Sequence, residues 1–325
     1  MTLLEKAILA TISYYDILNY PLTTIEIWRF LIRPKNQANF QADFLEIEQA
    51  LSEKGELGNY LSSQNGFFFL KGRQDLVKEK ISKHKLSQEK WKKTIFIARI
   101  LQAVPFVRMV AGSGSLALGN ASSQSDLDLL IVARHGRIWT ARLFVTFLVK
   151  LLGKKRDRLG KVTKDKICLN HYLSLKSLEV PCRSLYTAYE YIHLVPLFGK
   201  KYFQKFRQKN KPWIKNYLVN FIEGEKLNRR LLKKNFLLKK TAKIFEICLG
   251  GRIGDFLEKK FAFYQTRRIK QDYRFAQKGG RIVIKDSQLE FHPNSPEKKI
   301  LEQFNQKAEE MGLLEFSGQK DSGLG

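Results

Sequence analysis

The residues best suited to chemistry lie in one stretch, Val110-Ala-Gly-Ser-Gly-Ser-Leu-Ala-Leu-Gly-Asn-Ala-Ser-Ser-Gln-Ser-Asp-Leu-Asp-Leu-Leu-Ile-Val132. On a strand, alternation puts Asp126 and Asp128 on one face while Leu127 and Leu129 take the other. Two neighbouring carboxylates are costly unless a cation neutralises them. Mg²⁺ suits the position, because it takes one or two carboxylates and fills its octahedron with phosphate oxygens and water; Mn²⁺ accepts similar ligands. Gly114-Ser115, after a buried strand, offers backbone N–H groups and a hydroxyl to phosphates, and glycine allows their close approach. Gly112, Gly114 and Ala117 also satisfy G-x-G-x-x-A. A dinucleotide site, however, needs a long helix and an acid about 20 residues on, at the end of the next strand. Gly119-Asn120 stops any helix early, and the acids come at the start of the next strand. Phosphoryl or nucleotidyl transfer is the chemistry that remains.

These residues resemble the signature of the DNA polymerase β-like nucleotidyltransferases: a strand, Gly-Ser, a short spacer, then Asp-x-Asp within an apolar strand. Gly114-Ser115, ten intervening residues and Asp126-Leu-Asp128-Leu match it in order and spacing. Minimal bacterial members read Gly-Ser-x-Ala-Arg-Gly, whereas this chain has Leu118 at the arginine position. Ser125, just before the first aspartate, also resembles the family. The likeness covers residues 105–175, and the wider layout resembles bacterial proteins that place a winged helix before such a domain.

The resemblance implies an NTP as substrate, a hydroxyl acceptor and pyrophosphate as leaving group. It makes Asp126 and Asp128 the catalytic, metal-binding pair, and Gly114, Ser115 and Ser125 nucleotide-binding residues. Family members commonly carry a third carboxylate on a later strand. Here residues 167–173 offer Asn170 instead, whose amide can ligate a metal but cannot take a proton at neutral pH. Asp165 is a substitute if it folds inward, and Asp157 is another candidate. His171 alternates to the face opposite Asn170 and reads as structural. Asn170 therefore keeps open an alternative, a catalytically attenuated nucleotide- or RNA-binding protein that retains the fold. Arg137, Arg142, Lys154, Lys155 and Arg156 are candidates for holding a triphosphate tail.

The elements around this stretch give a multidomain α+β or α/β chain. In residues 1–75 three helices (3–18, 23–32 and 43–53) precede a hairpin turning at Asn65-Gly66, which resembles a winged helix. Its third helix carries Glu46, Glu48 and Glu53, the wrong sign for DNA phosphates, which argues against DNA binding. Residues 76–182 read as a linking helix (75–102) and the nucleotidyltransferase core, with strands at 106–111, 127–133 and 167–173 and a helix at 137–152. The basic run 78–93 reads as a solvated face. Residues 183–325 read as a basic, mainly helical C-terminal domain with a short hairpin (281–284, 289–291), a last helix (296–311) and a disordered tail from residue 317.

Charge is unevenly distributed. The chain carries 58 Lys and Arg against 31 Asp and Glu, a net +27. Residues 1–75 hold 7 basic and 9 acidic side chains, a net of −2, whereas residues 200–281 hold 24 and 6, a net of +18. That asymmetry points to RNA or another polyanion as partner for the basic segment, with an anionic membrane surface as a further option. Its interleaved rings, as in Lys201-Tyr-Phe-Gln-Lys-Phe-Arg207, suit core positions better than base stacking. No apolar run is long enough for a membrane span, and no export signal precedes the first helix, so the expected compartment is the cytoplasm. Cys168, Cys182 and Cys248 lack the spacing of a thiolate zinc site.

Overall fold

The computed structural model describes residues 1–53, 55–156, 164–221, 230–271, 280–293 and 295–320. The chain opens with α1 (Leu3–Ile17), β1 (Leu22–Thr23), α2 (Thr24–Phe30) and α3 (Phe44–Ser52). Each helix starts at a capping box, Thr2 with Glu5, Thr23 with Glu26 and Asp43 with Glu46, so side chains satisfy the first-turn N–H groups. Strands β2 (Leu61–Gln64) and β3 (Phe67–Leu70) meet at Asn65-Gly66, whose φ values of 54° and 76° suit a type I′ turn. They form a three-stranded sheet in the order β1-β3-β2.

A long helix, α4 (Asp75–Leu101), leads into the main sheet through β4 (Val107–Gly112), α5 (Gly114–Leu118), β5 (Leu127–Ala133), α6 (Ile138–Leu151) and β6 (Ile167–Ser174). There follow α7 (Leu185–Ile192), β7 (Val195–Phe198), α8 (Lys200–Ile214), α9 (Phe236–Cys248) and α10 (Gly251–Lys270). A hairpin of β8 (Arg281–Lys285) and β9 (Gln288–His292) precedes α11 (Glu297–Glu310). The main sheet runs β7-β4-β5-β6-β9-β8; β5 and β6 are parallel and the other pairs antiparallel. The fold is mixed α and β.

Alternation along the inner strands builds two cores. Met109, Ala111, Leu130, Val132 and Leu173 join an apolar cluster with α1, α7, α8 and α11. Val110, Leu129, Ile131 and Tyr172 join a second, under α4, α6 and α10. The sheet is therefore covered on both faces, which is why its strands read as continuous apolar runs.

Three expected boundaries change. The first cluster runs from Ala7 to Phe316, so residues 1–75 share a core with the rest; α1 is buried on every side because α11 covers the face away from α2. The hairpin of 281–292 is part of the central sheet, since β9 pairs with β6. Residues 317–320 are held: Lys35 donates to the Ser317 carbonyl, and Asn305 and Gln319 exchange two hydrogen bonds. Residues 321–325 lie outside the described residues. The interleaved rings of α8 are core as expected, with Phe203, Phe206 and Trp213 buried.

Candidate functional site

Asp128 lies in β5 and Asp126 one residue before it. Their carboxylate oxygens and the Cys168 sulfur lie within 4.8 Å of one another. With Leu127 and Leu129 in the core under α4 and α6, the pair takes the other side of the sheet, as alternation requires. Gly114 (φ 63°) closes over it. A Cβ there would stand 2.6 Å from Asp128 Oδ2, so both the conformation and the space favour glycine. Ser115 follows, its Oγ 3.5 Å from Ser125 Oγ. Ser125 Oγ also accepts from the Ser122 N–H at 2.9 Å, which folds residues 122–125 back onto α5. The structure thus brings Gly114, Ser115, Ser125, Asp126 and Asp128 together.

The electrostatics follow from burial. Burial first, and then the neighbouring Asp126, push the Asp128 carboxyl up to about 7. Burial also raises the Cys168 thiol, with Asp128 and Asp126 adding to it, so this sulfur stays protonated and neutral. Arg156 donates to Asp126 Oδ2 and lies 3.6 Å from the Cys168 sulfur. Burial is the largest single influence and works against its charge, but Asp126, Cys168 and Asp128 together outweigh it and raise the pKa.

Asn170 reaches the pair: its Nδ2 stands 3.4 Å from Asp128 Oδ1 and 3.2 Å from His292 Nδ1. His171 does not take the opposite face. Pairing slips between Asp128–Cys168 and Leu130–His171, leaving one extra residue on β6. Leu169 and Tyr172 both pack into the core under α4, while Asn170 and His171 turn the same way, towards His292. Asp165 does not fold inward. It binds Lys90 at 2.9 Å and Lys93 at 2.5 Å, and although burial alone would raise its carboxyl, these lysines hold it low. Asp157 lies outside the described residues. Arg137 pairs with Asp255 and Arg142 donates to Gln265, so neither is aimed at the aspartates.

Four residues of this neighbourhood escaped the sequence reading. Lys90 is buried and donates to the Ser123 and Ser125 carbonyls as well as to Asp165, clamping the loop that enters Asp126. Lys78, Lys85, Lys92 and Lys93 are solvated as expected, but Lys80 and Lys90 are buried; a stripe of Leu76, Lys80, Ser87, Trp91, Thr94 and Ala98 at helical spacing was the available signal. Glu190 lines a cavity of about 260 Å³ with Gly114, Ser115, Tyr14, Tyr186 and His193. It is the single charged residue of α7, an unusual place for an acid without a role. Burial alone would raise it, but Arg281 holds its pKa below the ordinary value. His292 and Arg281 arrive on the β8–β9 hairpin, far along the chain.

Beyond Asn170 lies a second cluster, His171, Glu290 and His292, with ligand atoms also within 4.8 Å. Arg281 already supplies its cation: Nε is 2.9 Å from Glu290, Nη2 2.9 Å from Glu190 and Nη1 3.2 Å from Glu297. Burial lowers both imidazoles to about 4, so they are neutral. On the far side of α5 a cleft of about 740 Å³ carries Arg29, Lys80, Lys85, Arg207, Arg230 and Trp91, a volume ordinary for a small-molecule site of roughly 300–1,000 Å³. Comparison of the chain with protein-family models, curated proteins and solved structures finds no match.

Proposed function

We propose that the protein is a divalent-metal-dependent nucleotidyltransferase, moving a nucleoside monophosphate from an NTP to a hydroxyl on an RNA, a small molecule or a protein. The observation that carries this is the packing of Gly114 on Asp128, with Ser115 following it and meeting Ser125, the residue before Asp126. The donor set fits the metal: two carboxylates are hard oxygen ligands of the kind Mg²⁺ and Mn²⁺ prefer, and the neutral Cys168 thiol does not compete for them. Asp126 and Asp128 would hold the ion, which when bound neutralises charge on the reacting phosphate and on the attacking and leaving oxygens.

The chain's own groups would do the rest. Ser115 and Ser125 donate hydroxyl hydrogens to phosphate oxygens, and Arg156, now on Asp126, is placed to meet the same anion. The acceptor oxygen bonds to the α-phosphorus, the bond to the β-phosphate bridge breaks, and pyrophosphate leaves. The hydroxyl proton needs an acceptor; Asn170 cannot serve, and Glu190 is committed to Arg281, so the proton passes to water or to a phosphate oxygen of the departing pyrophosphate. The order α1-β1-α2-α3-β2-β3 supports a winged-helix-like start, and β4-α5-β5 supports a polymerase β-like core.

Asn170 favours a second reading, a protein that binds nucleotide or RNA without turnover. Incubation with each labelled NTP and Mg²⁺ or Mn²⁺, with and without total RNA, separates the two. Pyrophosphate release supports the enzyme, saturable nucleotide binding without release supports the second reading, and the absence of both would contradict the site described.

A further inference from the structure

Exposed apolar side chains are concentrated on one part of the surface. Of the seventeen large hydrophobic residues standing in solvent among the described residues, eleven belong to α6, α9 and α10. Their exposure runs from 44% at Phe245 to 78% at Phe236. Helical spacing aligns them. At steps of three and four, α10 presents Ile253, Phe256, Lys260, Phe263 and Arg267, and α9 presents Phe236, Lys240, Ile244 and Ile247. The three helices are adjacent, since α6 packs on α10 and the ring of Phe144 on α6 lies 6.0 Å from Phe245 on α9.

The acids of α9 and α10 are all engaged within the fold. Glu246 binds Arg108 at 2.7 Å, Asp255 binds Arg137 at 2.6 Å, and Glu258 accepts from the Trp139 and Thr140 N–H groups that open α6. Beside the apolar groups, Lys240, Lys243, Lys259, Lys260, Arg267 and Arg268 stand in solvent, against one exposed acid, Asp255, which Arg137 already pairs. From this pattern we infer that α9 and α10, with the exposed end of α6, form a peripheral docking surface for an anionic lipid bilayer.

The occupant follows from the combination of groups. An anionic bilayer offers headgroup charge to the cations and an acyl boundary to the apolar side chains. A nucleic-acid strand would satisfy the cations and could stack on Phe256 or Phe263, but Leu237, Ile244, Ile247 and Ile253 have no flat face to stack. A second copy of the chain would set cations against cations, with the local acids already committed. The basic helix that precedes them in the chain, α8, shows the contrast: it buries its rings and exposes lysines, as a solvated helix should. The contact is with the surface of the bilayer, because among the described residues no helix is long and apolar enough to cross it.

Co-sedimentation of the full chain with vesicles tests this without reference to catalysis. With about 30% phosphatidylserine the protein should pellet with the vesicles at low salt, with pure phosphatidylcholine at least about tenfold less, and added salt should weaken binding. Phe256→Glu with Phe263→Glu replaces side chains that touch solvent, so the fold should survive, checked by an unchanged melting temperature. Vesicle affinity should fall about tenfold or more. Lys260→Glu with Arg267→Glu should remove the preference for anionic lipid. Three results overturn the inference: no pelleting with anionic vesicles at low salt, unchanged vesicle binding by the double Phe variant, or a dimer that the double Phe variant converts to monomer. Tight RNA binding through this face in place of lipid would overturn it as well.

Discussion

Asn170 stands between two groups of acids that are neutralised differently. On one side Asp126 and Asp128 open towards Ser115 and meet Arg156, a guanidinium still 38% exposed. On the other, Glu190, Glu290 and Glu297 surround Arg281, which is 7% exposed and makes an ion pair with each. The second group contains its own counter-ion and is closed. The first leaves Asp128 with a carboxyl near 7, an arrangement whose cost falls when a cation arrives from solution. A buried acid cluster thus marks a candidate site when its neutralising charge is missing from the interior, and marks architecture when that charge is built in.

Breaking each side should have opposite consequences. Asp126→Asn or Asp128→Asn should reduce nucleotidyl transfer by at least about 10³-fold, because each removes a ligand where charge develops, while the melting temperature does not fall. Arg281→Met leaves three carboxylates without their cation and should lower stability by about 3–5 kcal/mol in denaturant unfolding. If Arg281→Met instead melts like the parent, the second cluster is not the fixed structural element described.

A third prediction concerns Asn170 itself. Asn170→Asp places an acid where the resemblance expects one. If the missing carboxylate limits turnover, pyrophosphate release should rise by about tenfold or more, within the roughly 10²–10⁴-fold typical of general acid–base groups. A fall in rate would show that the amide has a positive role beside Asp128.

The pH dependence of the metal-free protein gives a smaller effect with a definite sign. The folded Asp128 carboxyl, at about 7, lies above its ordinary value, so the folded state binds more protons between the two. Its contribution is present at the acidic end of that window and is lost as pH rises towards 7. Relative to Asp128→Asn, the parent should therefore lose stability over that range at up to about 1.4 kcal/mol per pH unit, and Mg²⁺ should restore part of it above pH 7. The smallest effect is expected at Gly114→Ala: positive φ and the contact with Asp128 should together cost roughly 1–2 kcal/mol, with a larger proportional loss of transfer.

The site was legible where its logic is local. Strand alternation sets Asp126 beside Asp128, and a turn between strands returns Gly114 and Ser115 to them, so spacing along the chain was enough. Asn65-Gly66 and the capping boxes were legible for the same reason. What the sequence could not show depends on distant segments. The bulge that turns His171 towards His292 lies in the pairing of β6 with β5, and His292 reaches it only because β9 pairs with β6 from the other side. Lys90, Glu190 and Arg281 reach the neighbourhood through three separate elements, and the burial of each is a property of the packed layers. Residues 1–75 looked independent because their helices cap themselves, yet α1 needs α11 to cover it.

The most direct test is a Mn²⁺ titration followed by electron paramagnetic resonance of the free ion, in the presence of NTP, on the parent, on Asp126→Asn with Asp128→Asn, and on Glu290→Gln. The account predicts saturable Mn²⁺ binding by the parent, loss of at least about tenfold in affinity in the aspartate variant, and no loss in Glu290→Gln. Equal Mn²⁺ binding by the parent and the aspartate variant, or loss confined to Glu290→Gln, would contradict it.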